Sequence, residues 1–235
     1  MMLMAAELAD LAQAYVDHHL PADGCALAAS AACTLDWDED YCRRVAAYFD
    51  QAPRLAYDPP LARRYDRFKR ENLQQYAVVV DAGVAVRPWL APGQPYRSSA
   101  ELRASVRTRG ELYVYLTSAG HGSGPDEEFH PLLEPSGIVV EGVELCHNDV
   151  FRVVHDVFGH VLSGHGFSAR GEFGAAFCHM GMYPPSVHPV LFTEQVAQIC
   201  WYFFGPYADE RRYPPQKVFQ FPRRYLTEFR KLFQL

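Results

Sequence analysis

DVFRVVHDVFGHVLSGHGF, residues 149–167, sets three histidines five residues apart, His155, His160 and His165, in an otherwise apolar segment. Phe151, Val154, Phe158 and Val161 recur at intervals of three and four, the stripe by which a helix packs on a core. A regular α-helix turns about 100° per residue, so side chains five apart point about 140° from one another. His155 and His165 would lie about 15 Å apart along its axis and cannot share an ion. A neighbouring pair can do so if the imidazoles reach a common edge or the helix is locally distorted. Gly159 and Gly164 weaken the helix where such a distortion would fall. The pairs 155/160 and 160/165 are both open. The first lies deeper in the periodic segment and is favoured, leaving His165 to the loop that ends the helix.

Two imidazoles need a third ligand. A carboxylate on an apolar helix is the natural place to look, because burying it costs several kcal/mol unless it is paired or bound to metal, about 3–5 when a partner is missing. Glu194, in VLFTEQVAQICWYFF (residues 190–204), has that setting, with Gln198 and Trp201 on the same face as a possible pocket wall. Glu172, after Gly171 in SARGEFGAAF, is the rival ligand or a partner to a ligand imidazole. Asp149 and Asp156 are further candidates for that supporting role.

The surrounding chain predicts a mainly α fold with a small β-sheet, an α+β class, in one catalytic domain over residues 1–235. Helices are expected over 3–19, from Asp38 to Asp50, and over LARRYDRFKRENLQQYAVVVDAG ending at Gly83; residues 21–36 read as loop. Residues 84–146 read as one small sheet with one helix, from VAVRPWL, a helix capped by Ser98 or Ser99, ELYVYLT, the loop AGHGSGPDEE, and the hairpin GIVVEGVEL. Residues 147–235 read as the metal-binding helical part. It holds helices capped by Asn148 or Asp149, over 169–181, over 190–204, and after Pro222.

Composition narrows the function. A net charge of −6 over 235 residues argues against a nucleic-acid partner. No run of 18 apolar residues and no basic leader is present, so neither a membrane span nor export is expected, and the cytoplasm is the expected setting. Six scattered cysteines without a C-x-x-C pair read as reduced, structural thiols. The locally basic run KVFQFPRRYLTEFRKLF reads as a solvated helix face or a docking surface for an acidic partner.

His155-Asp156-Val157-Phe158-Gly159-His160-Val161 resembles the metal-binding segment of the pterin-dependent aromatic amino acid hydroxylases: His, an acidic residue, two apolar residues, Gly, His, Val. That family takes its third iron ligand from a Glu on a later helix, and Glu194 matches in distance and setting. The resemblance implies a hydroxylase-like catalytic core, Fe(II) held by His155, His160 and Glu194, and a pterin as a possible cosubstrate. It covers about residues 148–204. Leu162 stands where the family usually has Pro, and neither its substrate-carboxylate arginine nor its pterin-contacting segment can be placed. The chain is also similar to short bacterial and phage proteins of unassigned reaction. They share Asn-Asp-x-Phe-Arg-x-Val-His-Asp-x-Phe-Gly-His, here Asn148 to His160, and Gly-Phe-x-Ala-x-Gly-Glu, here Gly166 to Glu172.

The expected function is a mononuclear non-haem iron oxygenase acting with O₂ on a small, aromatic or amino-acid-like substrate. Asp156 and Glu172 would have catalytic or supporting roles. Arg152 would face a substrate carboxylate, with Phe158, Gln198 and Trp201 in the substrate or cosubstrate pocket. A zinc-dependent hydrolase or lyase on the same ligands is the alternative, with Asp156 or Glu172 as general base. The third is a metal that only braces the fold, closed by His165 or His179.

Overall fold

The computed structural model describes residues 5–20, 27–119 and 129–234. The chain runs α1 (Ala5–His19), α2 (Leu27–Ala32), β1 (Thr34–Leu35), α3 (Glu39–Gln51), α4 (Pro59–Asp81) and β2 (Ala85–Trp89). Next come α5 (Ser99–Ala104), which continues as a π-turn over Ser105–Arg109, and β3 (Glu111–Tyr115), β4 (Pro135–Val140) and β5 (Val143–Cys146). Then α6 (His147–Val154) runs on as a π-helix over His155–Leu162 and is followed by α7 (Ala169–Met180). A last long helix has three parts: α8 (His188–Leu191), a π-segment over Phe192–Ala197, and α9 (Gln198–Phe204). α10 (Arg223–Lys231) and β6 (Phe233–Gln234) complete the chain, which is mainly helical with small sheets.

The local signals explain most boundaries. Asp38 caps α3 by accepting the Tyr41 N–H at 2.8 Å, and Asp58 caps α4 through Leu61 N–H at 2.8 Å, ahead of prolines in its first turn. α4 stops before Gly83, whose φ of 83° ends the helix. The β4–β5 hairpin turns at Glu141 and Gly142, both at positive φ, as a tight two-residue turn requires.

Three expectations are corrected. Residues 84–146 do not make one sheet. β2 and β3 pair in parallel across α5, while β4 and β5 form a separate antiparallel hairpin. Residues 21–26 and most of AGHGSGPDEE lie outside the described residues, but the rest of the expected 21–36 loop forms α2 and β1. β1 pairs with β6 from the far end of the chain, Thr34 opposite Gln234, a long-range contact with no local signature. Finally, α6 starts at His147, earlier than a cap at Asn148 or Asp149 would give. Asp149 sits inside the first turn and accepts the Cys146 N–H at 3.0 Å. Its other oxygen takes the Thr117 N–H and hydroxyl, both at 2.7 Å, and so anchors the segment after β3.

A single apolar core joins these elements: α3 packs on α9, α4 on α6, and α7 on the π-helix that continues α6. Trp201 belongs to this framework; its Nε1–H donates to Asp50 at 2.9 Å and ties α9 to the end of α3. The same end is closed by Lys217, only 5% exposed, whose ammonium donates to the carbonyls of Phe49, Asp50 and Ala52 at 2.7–2.8 Å. They lie at the C-terminal end of α3, where a helix leaves carbonyls without intrahelical partners and a cation is also favoured by the helix dipole. Lys217→Ala is expected to destabilise the fold by about 3 kcal/mol, since bonds to a charged group are worth ~1.5–3 kcal/mol and are not additive. Chemical denaturation checks this.

The five cysteines among the described residues are free thiols. Among those residues no helix is long and apolar enough to cross a membrane.

Candidate metal centre

The π-helix resolves the geometry that a regular helix forbids. Its ladder joins each residue to the one five away, so residues five apart become neighbours across one turn. His155 and His160 stand in that relation. Their rings are 4.8 Å apart, centre to centre, and 75° from coplanar. Arg107 and Arg103, from α5 and its continuation, donate to Val161 O at 2.6 Å and Gly164 O at 3.0 Å, holding the helix end. Gly164, at φ 82°, then turns the chain away.

Glycine makes the approach possible. A Cβ on Gly159 would lie 2.6 Å from His155 Cε1, so the ring occupies the space a side chain would take. A Cβ on Gly171 would overlap the Gly166 carbonyl oxygen and lie 2.7 Å from its carbon, which lets the first turn of α7 press against the strap after the π-helix. A Cβ on Gly174 would strike the His165 ring at 2.6 Å.

The close approach of α7 delivers Glu172. Its Oε2 lies 3.6 Å from His155 Nε2 and 3.4 Å from His160 Nε2, and one donor atom from each of the three residues falls within 4.8 Å of the others. The structure therefore gathers Glu172, not Glu194, with the two histidines. Glu194 is satisfied elsewhere. It accepts a short hydrogen bond from the Tyr65 hydroxyl, lies 3.4 Å from His130 Nε2, and receives the Gln198 amide at 3.3 Å. Tyr65 and His130 come from distant parts of the chain and, with Gln198 one turn on, answer the question of why a carboxylate is buried on an apolar helix.

The surroundings suit a metal. His160 Nδ1 lies 3.1 Å from the His165 carbonyl, so it carries the proton and leaves Nε2 free to bind. Gln195, which the sequence reading did not single out, reaches His155 with its side-chain nitrogen 2.8 Å from both ring nitrogens, while its Oε1 is buried without a partner. The amide thus holds the His155 ring without favouring either nitrogen. Phe167 stands 4.9 Å from His160, edge-on, as one wall.

Of the other expected site residues, Asp156 lies partly buried beside the cluster, and burial raises its pKa. Arg152 donates to the Tyr115 carbonyl at 3.1 Å and lies over the Tyr115 ring. Phe158 is core, 6.1 Å from the His179 ring, and Gln198 and Trp201 are bound to Glu194 and Asp50. His165 offers its carbonyl, not its ring. His179 is fully buried against Gln75 at 2.8 Å and Tyr183 at 3.2 Å. Neither imidazole joins the cluster, so the closed four-ligand arrangement is not seen.

The three groups are electrostatically linked. Burial alone would raise Glu172, but the charge on His160 and the hydrogen bonds from both imidazoles bring its pKa down to about 2. Burial lowers His160, but Glu172, Asp156 and the His165 carbonyl together outweigh it and the net shift is upward. For His155 burial prevails and the pKa falls. A raised His pKa stabilises the fold below the unfolded value of 6.5, and a depressed Glu pKa does so above 4.5. The metal-free pair is therefore most stabilising between those values and fades as pH rises through the raised His160 pKa or falls toward about 2. A divalent metal must displace the His160 proton. Loading at pH near 6.5 is expected to release between about half and one proton per ion, falling at higher pH. Titration calorimetry in buffers of different ionisation enthalpy measures this; no release would refute it.

No protein-family model, curated protein or solved structure matches the chain. The site thus stands on its own geometry.

Proposed function

We propose that the chain is a mononuclear non-haem iron oxygenase whose metal is held by His155, His160 and Glu172. The observation that carries this is the cluster itself: two imidazole nitrogens and one carboxylate oxygen converging from a π-turn and the first turn of α7. Two histidines and one carboxylate are the donor set of Fe(II) oxygenases, and such a set leaves coordination positions open. When bound, Fe(II) would supply the activation of O₂ toward a small substrate. The chain's own part is to orient and to shield. His165 and Gln195 fix the imidazoles, and Phe167 covers the His160 side. Arg152 keeps donors beyond its bond to Tyr115, a place for a substrate carboxylate. A pterin as electron donor enters from the family resemblance alone.

Asp156 favours a second reading. A partly buried carboxylate beside a His₂Glu cluster, its pKa raised by burial, is also what a zinc hydrolase needs as general base. Anaerobic Fe(II) loading followed by nitric oxide separates the two. An S = 3/2 signal in electron paramagnetic resonance, lost in His155→Ala and Glu172→Ala, supports the oxygenase. Protein that purifies with tightly held zinc and gives no such signal supports the hydrolase.

A further inference from the structure

Apart from the metal cluster, where α10 lies against α8, a pocket of about 240 Å³ is lined by Arg64, Arg223 and Arg230 together with apolar residues that include Phe192, Phe221 and Leu226. Among the described residues none of the three guanidinium groups is paired with a carboxylate. Most exposed arginines on this chain are paired or stacked; Arg43 meets Glu39 and Asp40, and Arg44 meets Glu228. Three unpaired cations around one concavity repel one another, and that cost is relieved by an anion.

Two of the three are already held in place. Arg64 donates to the Ser186 carbonyl at 3.1 Å. Arg230 makes a short hydrogen bond to His188 Nδ1, and the His188 Nε2 is anchored 2.8 Å from the Tyr183 carbonyl. Neither acceptor is a carboxylate, and other N–H donors remain for a ligand. Burial, and then the nearby Arg223, lower the Arg230 pKa, which shows that two of these cations feel each other. The wall also includes the start of α10, where Pro222 provides no side-chain cap for the helix N-terminus.

We propose that this pocket binds a small ligand carrying a phosphate or carboxylate oxyanion on an apolar body, the anion held by Arg64, Arg223 and Arg230 and the body laid on Phe192, Phe221 and Leu226. Guanidinium forks match the paired oxygens of either anion. The site gives the basic run at the C-terminal end of the chain a chemical use. It does not depend on the metal reading.

The test titrates the full chain calorimetrically with phenyl phosphate, and with phenol for comparison. One saturable site is expected, weakening as salt is raised. Phenol should bind about tenfold more weakly or not at all, and the Arg223→Gln/Arg230→Gln variant should bind phenyl phosphate about tenfold more weakly. Because Arg230 also supports His188, Arg223→Gln alone serves as the second variant; it should weaken binding by about threefold or more with unchanged thermal stability. Glu172→Gln should leave binding unchanged. The proposal is overturned by the absence of a saturable site, by phenol binding as well as phenyl phosphate, by unaltered binding in the arginine variants, or by loss of binding in Glu172→Gln, which would place the anion at the metal centre.

Discussion

Replacing Glu172 by alanine is expected to cut metal affinity by on the order of a hundredfold or more. Residues that merely orient a ligand typically cost about 10–100-fold when removed, and a direct ligand should cost at least as much. The loss comes from the donor atom that disappears from a three-atom cluster; without Glu172 the His160 pKa falls, which eases displacement of its proton and offsets only a small part of that loss. Glu172 is partly exposed, with 19% of its side chain accessible, so the change opens little buried volume and the fold should survive. Competition against a chromogenic chelator, with circular dichroism as the folding control, reads the effect.

Glu194→Ala makes the matching control with the opposite pattern. It leaves the buried Tyr65 hydroxyl without its acceptor and removes the carboxylate beside the buried His130 ring, which should cost about 2–3 kcal/mol of stability. Metal affinity should change by no more than a few-fold, since Glu194 is not part of the cluster. The reverse outcome, metal lost in Glu194→Ala and kept in Glu172→Ala, would restore the ligand set implied by the hydroxylase resemblance and sink the assignment made from the geometry.

The difference between those two glutamates shows how far the sequence could be read. The pair His155/His160 was legible, because Gly159 lies within it, Gly164 follows it and the apolar stripe fixes which face packs. That the helix widens into a π-ladder was not, since the residues are compatible with either ladder and only tertiary packing chooses between them. Glu194 misled because isolation on an apolar helix signals only that a carboxylate needs a partner, not that the partner is a metal. Tyr65 and His130, 129 and 64 residues earlier in the chain, supply it. The signal for Glu172 was present in Gly171 and Gly174 on either side of it. Small residues there permit close approach of α7 to the histidine segment, and a carboxylate between them is carried into contact. The caps at Asp38 and Ser98 and the hairpin were readable from a few local residues, whereas the start of α6 was not, its cap falling at Cys146. The β1–β6 pairing and the separation of the two sheets were not, because each depends on contacts between distant segments.

Gly171→Ala tests that close approach directly, and is expected to combine loss of stability with loss of metal. Gly171 adopts an ordinary helical backbone, so alanine is not excluded by conformation; the obstacle is the Gly166 backbone, whose carbonyl carbon and nitrogen would lie 2.7 and 2.8 Å from the new methyl carbon. Backbone atoms cannot swing aside as the end of a side chain can, so α7 must shift outward. Overpacking of this kind costs typically ~1–3 kcal/mol, and for a chain of this size about 2–4 °C in Tm for each kcal/mol. The shift moves Glu172, the next residue, away from His155 and His160, and metal affinity should fall by about tenfold or more. A merely destabilised protein would not show this when assayed well below its Tm. Lys217→Ala provides the comparison: a similar loss of stability, at the end of α3 and away from the cluster, with metal affinity unchanged. If Gly171→Ala binds metal as the parent does while its Tm falls, the glycine serves packing alone and Glu172 is not held in place by the approach of α7.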